Sequence, residues 1–160
     1  MVSIASRQQV RAVDSHLFQQ IVKTLLSELQ ISTADLGIHL VATPEMTKLN
    51  ESFLHHAGST DVITFDYSDD ARHRNSNSSP DAHGEIFICV DEAVAQARRF
   101  RTTWQSELVR YTVHGILHLQ GLDDLNPAGR RKMKRAESRF LRGLAHRFPL
   151  SRLARRRAAS

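Results

Sequence analysis

The sequence predicts an α+β fold, a small mixed four-stranded sheet with about five helices packed against it, and three observations carry that prediction. Four short segments rich in β-branched and aromatic residues alternate with longer segments whose apolar residues recur every three or four positions. No internal repeat, Gly-rich phosphate loop or linker divides the chain. An apolar content of 41% over 160 residues suffices for one real core.

Taken in order, Val2 to Ser6 reads as a first strand. Asp14 offers an N-cap to a helix whose stripe is Leu17, Phe18, Ile21, Val22, Leu25, Leu26 and Leu29. Leu36 to Ala42 alternates as a second strand, with His39 expected to face outward. Thr43 and Pro44 supply a cap and a first-turn proline for a helix through Phe53. Asp61 to Tyr67 is the third strand. The polar tract from Ser68 to Pro80 buries nothing and reads as a surface loop. Glu85 to Val90 is the fourth strand, passing directly into a helix from Asp91 to about Arg101. Thr102 and Gln105 make a capping box for the next helix, on which Glu107, Tyr111, His114 and His118 share one face. Glu107 could orient a histidine or pair with a neighbouring arginine. Asn126 and Pro127 open a last helix with Met133, Phe140, Leu141 and Leu144 toward the core.

The chemistry gathers in the segment from His114 to Asp124. His114 and His118 stand one helical turn apart, so two ring nitrogens can converge on one cation. Alone, such a pair is more often two hydrogen-bonded, half-buried imidazoles than a pair of ligands. Gly121 then follows where a helix end takes a left-handed residue, which lets the chain fold back and deliver Asp123 or Asp124 as a third ligand. Three protein ligands leave a fourth tetrahedral position for water, the arrangement of a catalytic zinc site. A zinc protease of this layout would carry glutamate after the first histidine as its base. Gly115 stands there instead, so peptide hydrolysis is disfavoured and close approach of another backbone or a bulky substrate is expected. Phosphodiester cleavage leans more heavily on the metal and stays compatible.

The segment resembles the signature of the YbeY endoribonuclease family, the bacterial rRNA maturation factors, which runs His-Gly-x-Leu-His-Leu-x-Gly-Tyr-Asp-His. His114, Gly115, Leu117, His118, Leu119, Gly121 and Asp123 match it residue for residue. Thr60 to Phe65 is similar to the family's Thr-Asp-Val-Leu-Ser-Phe segment, and His83 to Cys89 to its Gly-Asp-Ile-x-Ile strand. Leu49, Asn50 and Glu107 extend the match in order. The resemblance implies the family fold, with a zincin-like metal helix lying across the sheet and its histidines facing a cleft. It also implies one Zn2+ per chain on His114, His118 and Asp124, the last aligned with the family's closing histidine. Asp123 is expected to orient a ligand, and no side chain is assigned as general base; water on the open position would act on the phosphodiester.

Two departures stand out. A carboxylate at Asp124 remains a legitimate zinc ligand but lowers the charge of the site, favouring harder metals more than three histidines would. Leu54 occupies the place of an arginine that the family uses in RNA cleavage, with His55 and His56 beside it. The implied activity is a metal-dependent, single-strand-specific endoribonuclease in 16S rRNA 3′ end maturation and ribosome quality control. The alternative is a non-catalytic ribosome-assembly RNA-binding factor with a structural or vestigial metal.

Charge agrees with an RNA partner. Lys and Arg number 22 against 17 Asp and Glu, a net charge of +5, concentrated in Arg130, Arg131, Lys132, Lys134, Arg135 and the tail Arg152, Arg155, Arg156 and Arg157. One hydrolase domain is expected over 1–148, with a basic tail over 149–160 that could be disordered without RNA. The single cysteine, Cys89, falls in an apolar run and reads as a buried thiol in a reducing compartment. No segment has the length of a membrane span or a signal-peptide core, so a cytoplasmic protein is expected, with ribosomal RNA or small-subunit components as partners and neither membrane nor DNA.

Overall fold

The structure, a computed structural model, describes residues 1–55, 58–68 and 81–155. The order of elements is β1 (Val2–Arg7), α1 (Ser15–Glu28), β2 (Ala34–Val41), α2 (Thr43–Phe53), β3 (Val62–Asp66), β4 (Ala82–Cys89), α3 (Val90–Phe100), α4 (Trp104–Leu119) and α5 (Pro127–Arg147), followed by a 3-10 turn, Leu150–Leu153. The four strands form one mixed sheet ordered β1-β2-β4-β3. β1, β2 and β4 run parallel, and β3 closes one edge antiparallel to β4. The α+β prediction therefore holds in strand number, helix number and mixed pairing.

Strand alternation sorts the sheet into two faces. Leu36, Ile38 and Leu40 of β2 and Ile86 and Ile88 of β4 join Phe18, Ile21, Val22 and Leu25 of α1 and Leu108, Val113 and Ile116 of α4 in the main core. On the opposite face, Val41, Ile63, Phe87 and Cys89 pack with Met46 of α2 in a smaller cluster. Cys89 is fully buried, as its apolar surroundings predicted. His39 lies outside the main core, bridges Arg7 and Glu85, and stacks on Phe87 at 4.4 Å between ring centroids. The helix that matters most, α4, is buried on nearly every side, which is why its sequence is apolar almost all round.

Caps appear where side-chain chemistry can supply them. Asp14 accepts from the Leu17 amide at 3.0 Å, and Asn126 accepts from the Gly129 amide at 2.7 Å. Two expectations move. Thr103, not Thr102, caps α4 by accepting from the Ser106 amide, because the Thr102 hydroxyl is taken by Glu107 at 2.8 Å. Thr43 is the first helical residue of α2 rather than its cap, since its amide and hydroxyl both donate to Asp91 on α3. Residues 149–155 of the expected tail pack on the body. Leu153 is fully buried, its carbonyl accepts from the Asp14 amide, and the Arg155 amide donates to the Ala12 carbonyl. Leu150 and Leu153 supply apolar area that holds this segment on the body against its entropy. Within the expected loop, Ser68 turns back onto Asp66; residues 69–80, together with His56, Arg156 and Arg157, lie outside the described residues.

Candidate metal centre

The centre starts from the end of α4. Gly121 takes φ of 93°, in the left-handed region that glycine enters at no steric cost. The Leu122 amide donates to the Leu117 carbonyl and the Gly121 amide to the His118 carbonyl, the paired bonds of a Schellman ending. This reversal turns the chain back over the last turn of the helix and brings Asp124 up to both histidines. Gly115, one residue past His114, lets α4 settle on the sheet: a Cβ there would stand 2.9 Å from two carbons of the buried Ile86. What approaches this glycine is a side chain of β4, not a backbone or a substrate.

The geometry suits one small cation. His114 Nε2 and His118 Nε2 lie 2.9 Å apart, and the Asp124 carboxylate oxygens are 3.8 Å and 3.7 Å from them. One donor atom from each residue falls within 4.8 Å of the others, so these three residues could hold a metal ion. Ligands about 2.0–2.1 Å from a tetrahedral ion stand roughly 3.4 Å from one another, and the observed separations bracket that value. All three side chains are partly exposed, so the centre opens onto solvent.

A buried carboxylate sets the proton on the first histidine. Glu137 of α5, 7% exposed, meets His114 Nδ1 at 2.5 Å. With Nδ1–H donating to the carboxylate, the lone pair of Nε2 is left for a cation. Burial pulls the His114 imidazole down, but the Glu137 hydrogen bond and charge, with Asp124 and Asp61 behind them, outweigh it and raise the group above its ordinary value. Arg110 lies between Glu137 of α5, at 4.0 Å, and Glu107 one turn earlier on α4, at 3.8 Å, and so ties the α5 carboxylate to α4.

The predicted residues thus divide. His114, His118 and Asp124 come together. Asp123 is exposed and accepts from the Leu125 amide, so it shapes the turn, and the carboxylate that meets His114 is Glu137. Glu107 takes its arginine-pairing alternative and also binds Thr102. Glu137 was missed by the sequence reading, yet it left a signal: it sits between Met133 and Phe140 in the apolar stripe of α5, where an acid needs a partner.

Two cavities flank the centre, and His114 lines both. One, about 350 Å³, is walled by Leu54, Val62, Thr64 and His118. Leu54 therefore stands beside the centre, with His114 and His118 in the wall of the same cavity. The other, about 400 Å³, also reaches Asp124 and is walled by α3, α4 and α5. Of the basic run on α5, Arg130 and Lys134 border this second cavity, whereas Lys132 and Arg135 border a groove on the other side of the helix. Among the described residues, no helix is long and apolar enough to cross a membrane.

Comparison with known proteins agrees with this architecture. The family model described as Endoribonuclease YbeY matches residues 3–145. The Endoribonuclease YbeY of Salinibacter ruber is 30% identical over 140 residues, covering 88% of this chain and 89% of that protein. The protein of the same name from Chlorobium phaeovibrioides is 32% identical over 132 residues, covering 82% and 83%. In fold, the solution structure of TM1509 from Thermotoga maritima matches with a TM-score of 0.66 at 23% identity, covering 100% of this chain and 99% of that one. By the match along nearly its whole length, the chain belongs to the YbeY endoribonuclease family.

Proposed function

We propose that this protein is a zinc-dependent endoribonuclease that cuts single-stranded RNA, acting in 16S rRNA 3′ end maturation and ribosome quality control. The observation that carries the reading is the convergence of His114 Nε2, His118 Nε2 and the Asp124 carboxylate at one open point, beside a cavity bordered by Arg110, Arg130 and Lys134. Family membership supports the reaction class, since the relatives bear the name endoribonuclease. Two imidazoles and one carboxylate suit zinc and leave room for a further ligand. A divalent cation held there would polarise a phosphoryl oxygen and lower the pKa of water. The chain's own residues do the rest. Glu137 holds His114 in the tautomer that faces the cation, Arg110 neutralises Glu137, and Arg130 and Lys134 attract the phosphate backbone.

Leu54 favours a second reading, a ribosome-assembly factor that binds RNA without cutting it, because a leucine beside the centre cannot neutralise a phosphate. One assay separates the two. Cleavage of an unstructured RNA that needs a divalent metal and disappears in His114→Ala, with the fold intact by circular dichroism, supports the enzyme. RNA binding equal to that of His114→Ala, without turnover in zinc, manganese or magnesium, supports the assembly factor.

A further inference from the structure

The cavity of about 400 Å³ between α3, α4 and α5 carries groups that the metal centre does not use. Its volume lies in the range of small-molecule sites, and it shares a wall with the centre through His114 and Asp124. Tyr111 lines it from α4, and the Tyr111 hydroxyl is buried with no hydrogen-bond partner among the described residues. Such a hydroxyl is uncommon in a folded interior, because the water it gave up has not been replaced. Ionisation offers no relief: burial, and then the charge of Asp61, push the phenol above its ordinary value, so it remains a donor.

Around that donor stand three further features. Gln96 of α3 is half-buried in the wall, with an amide that can both donate and accept. Phe100, one turn further on, leaves 61% of its surface exposed at the rim, with the Arg99 guanidinium 5.4 Å from the ring centroid, and bases stack on exposed rings of this kind. Arg130 and Lys134 lie one turn apart on α5, border the same cavity, and form no ion pair among the described residues. Like charges at that spacing repel, and an anion between them relieves the repulsion. Asp61, Asp124, Glu107 and Glu137 also line the cavity, the last two paired with Arg110, so among the described residues the free cations lie on α5. An aromatic ring, an amide, a phenol donor and those paired cations match a base on one side and a phosphate on the other.

We infer that this cavity is a nucleotide subsite that receives one ribonucleotide of the RNA strand next to the scissile phosphate. The base stacks on Phe100 and offers an acceptor on its edge to Tyr111, Gln96 reads the same edge, and the flanking phosphate sits between Arg130 and Lys134. The inference rests on the endoribonuclease reading of the metal centre and adds to it where the neighbouring nucleotide binds.

Tyr111→Phe tests the idea with a single atom. A merely structural hydroxyl with no partner can be deleted without loss, so the melting temperature should stay or rise. Binding of uridine and adenosine monophosphate to the zinc-loaded full chain is followed by NMR, with inorganic phosphate as the control for anion binding at the metal. Nucleotide-induced shifts at Gln96, Phe100 and Tyr111 are expected, with affinity for at least one nucleotide about threefold to tenfold weaker in Tyr111→Phe and affinity for inorganic phosphate unchanged. Arg130→Gln combined with Lys134→Gln should weaken both nucleotides and raise KM for RNA more than it lowers kcat. Shifts confined to His114, His118 and Asp124, no shifts at all, or equal nucleotide affinity in Tyr111→Phe would each overturn the subsite. RNA cleavage with wild-type KM in the two variants would overturn it while leaving the endonuclease standing. Absence of cleavage in every metal strikes at the endonuclease reading, and the nucleotide titration then judges the cavity by itself.

Discussion

His114 shows how much one carboxylate can decide. Its pKa in the folded chain is raised above the ordinary 6.5, so the stabilisation from its proton is fully present below that ordinary value and is lost as pH rises through the folded one. Metal loading has the opposite slope, because a cation needs the bare Nε2 and must displace the proton. Zinc affinity should therefore climb as pH rises through the raised value of His114, not through 6.5. Glu137→Gln keeps an oxygen to accept from Nδ1 but removes the charge. We expect the pH midpoint of zinc binding to move down and affinity above it to fall about 10–100-fold. Calorimetric titration from about pH 5 to about pH 8, the range in which histidine charge changes, reads both quantities. An unshifted midpoint would leave Glu137 with no part in setting the proton. The histidine pair and a following aspartate, Asp123 or Asp124, were legible because their spacing is local to one helix and one turn, and the family resemblance selected Asp124. Glu137 lies 23 residues from His114, and only the packing of α5 on α4 makes them neighbours.

At the scale of the element, α4 must be both a good helix and a close-fitting one. Gly115 works against the first requirement and serves the second, because Ile86 occupies the space that a Cβ would need. Gly115→Ala gains about 1 kcal/mol of helix propensity, whereas overpacking of a rigid core costs about 1–3 kcal/mol. Ile86 is fully buried and has little room to yield, so a net destabilisation of up to about 2 kcal/mol is expected in urea unfolding. A shift of α4 by a few tenths of an ångström also moves both histidines, and zinc affinity should drop with stability. Stabilisation by the alanine would show that Ile86 repacks freely. The shifted cap belongs to the same scale: Thr102 with Gln105 makes the capping box in sequence, but on the folded helix Glu107 takes the Thr102 hydroxyl and Thr103 accepts from the Ser106 amide.

For the molecule as a whole, the last described residues belong to the body. Leu153 closes the space beside α1 and α4 and is fully buried, so Leu153→Ala should cost about 2–5 kcal/mol, read from the urea midpoint at unchanged slope. A cost near zero would mean that the 3-10 turn merely rests on the surface. Charge is also a property of the whole surface, and the net +5 acts where the fold aims it. Removing Arg130 or Lys134 should lower the salt dependence of single-stranded RNA binding by about 0.7 in log–log slope for each lost phosphate contact. Removing Lys132 or Arg135, which border the groove on the other side of α5, should leave the slope near its wild-type value. Filter binding across a series of salt concentrations checks the pair of outcomes.

By itself the sequence determined the alternation of strands and helices, the histidine pair with its turn glycine and aspartate, and the family. These are carried by local spacing, which a linear chain already contains. Only the tertiary structure decided that Glu137 meets His114 Nδ1, that Leu54 and the cations of α5 border different cavities beside the centre, and that residues 149–155 are tied to the body. Each of these joins residues far apart in sequence. Their meeting depends on burial of apolar faces that periodicity reveals but does not pair.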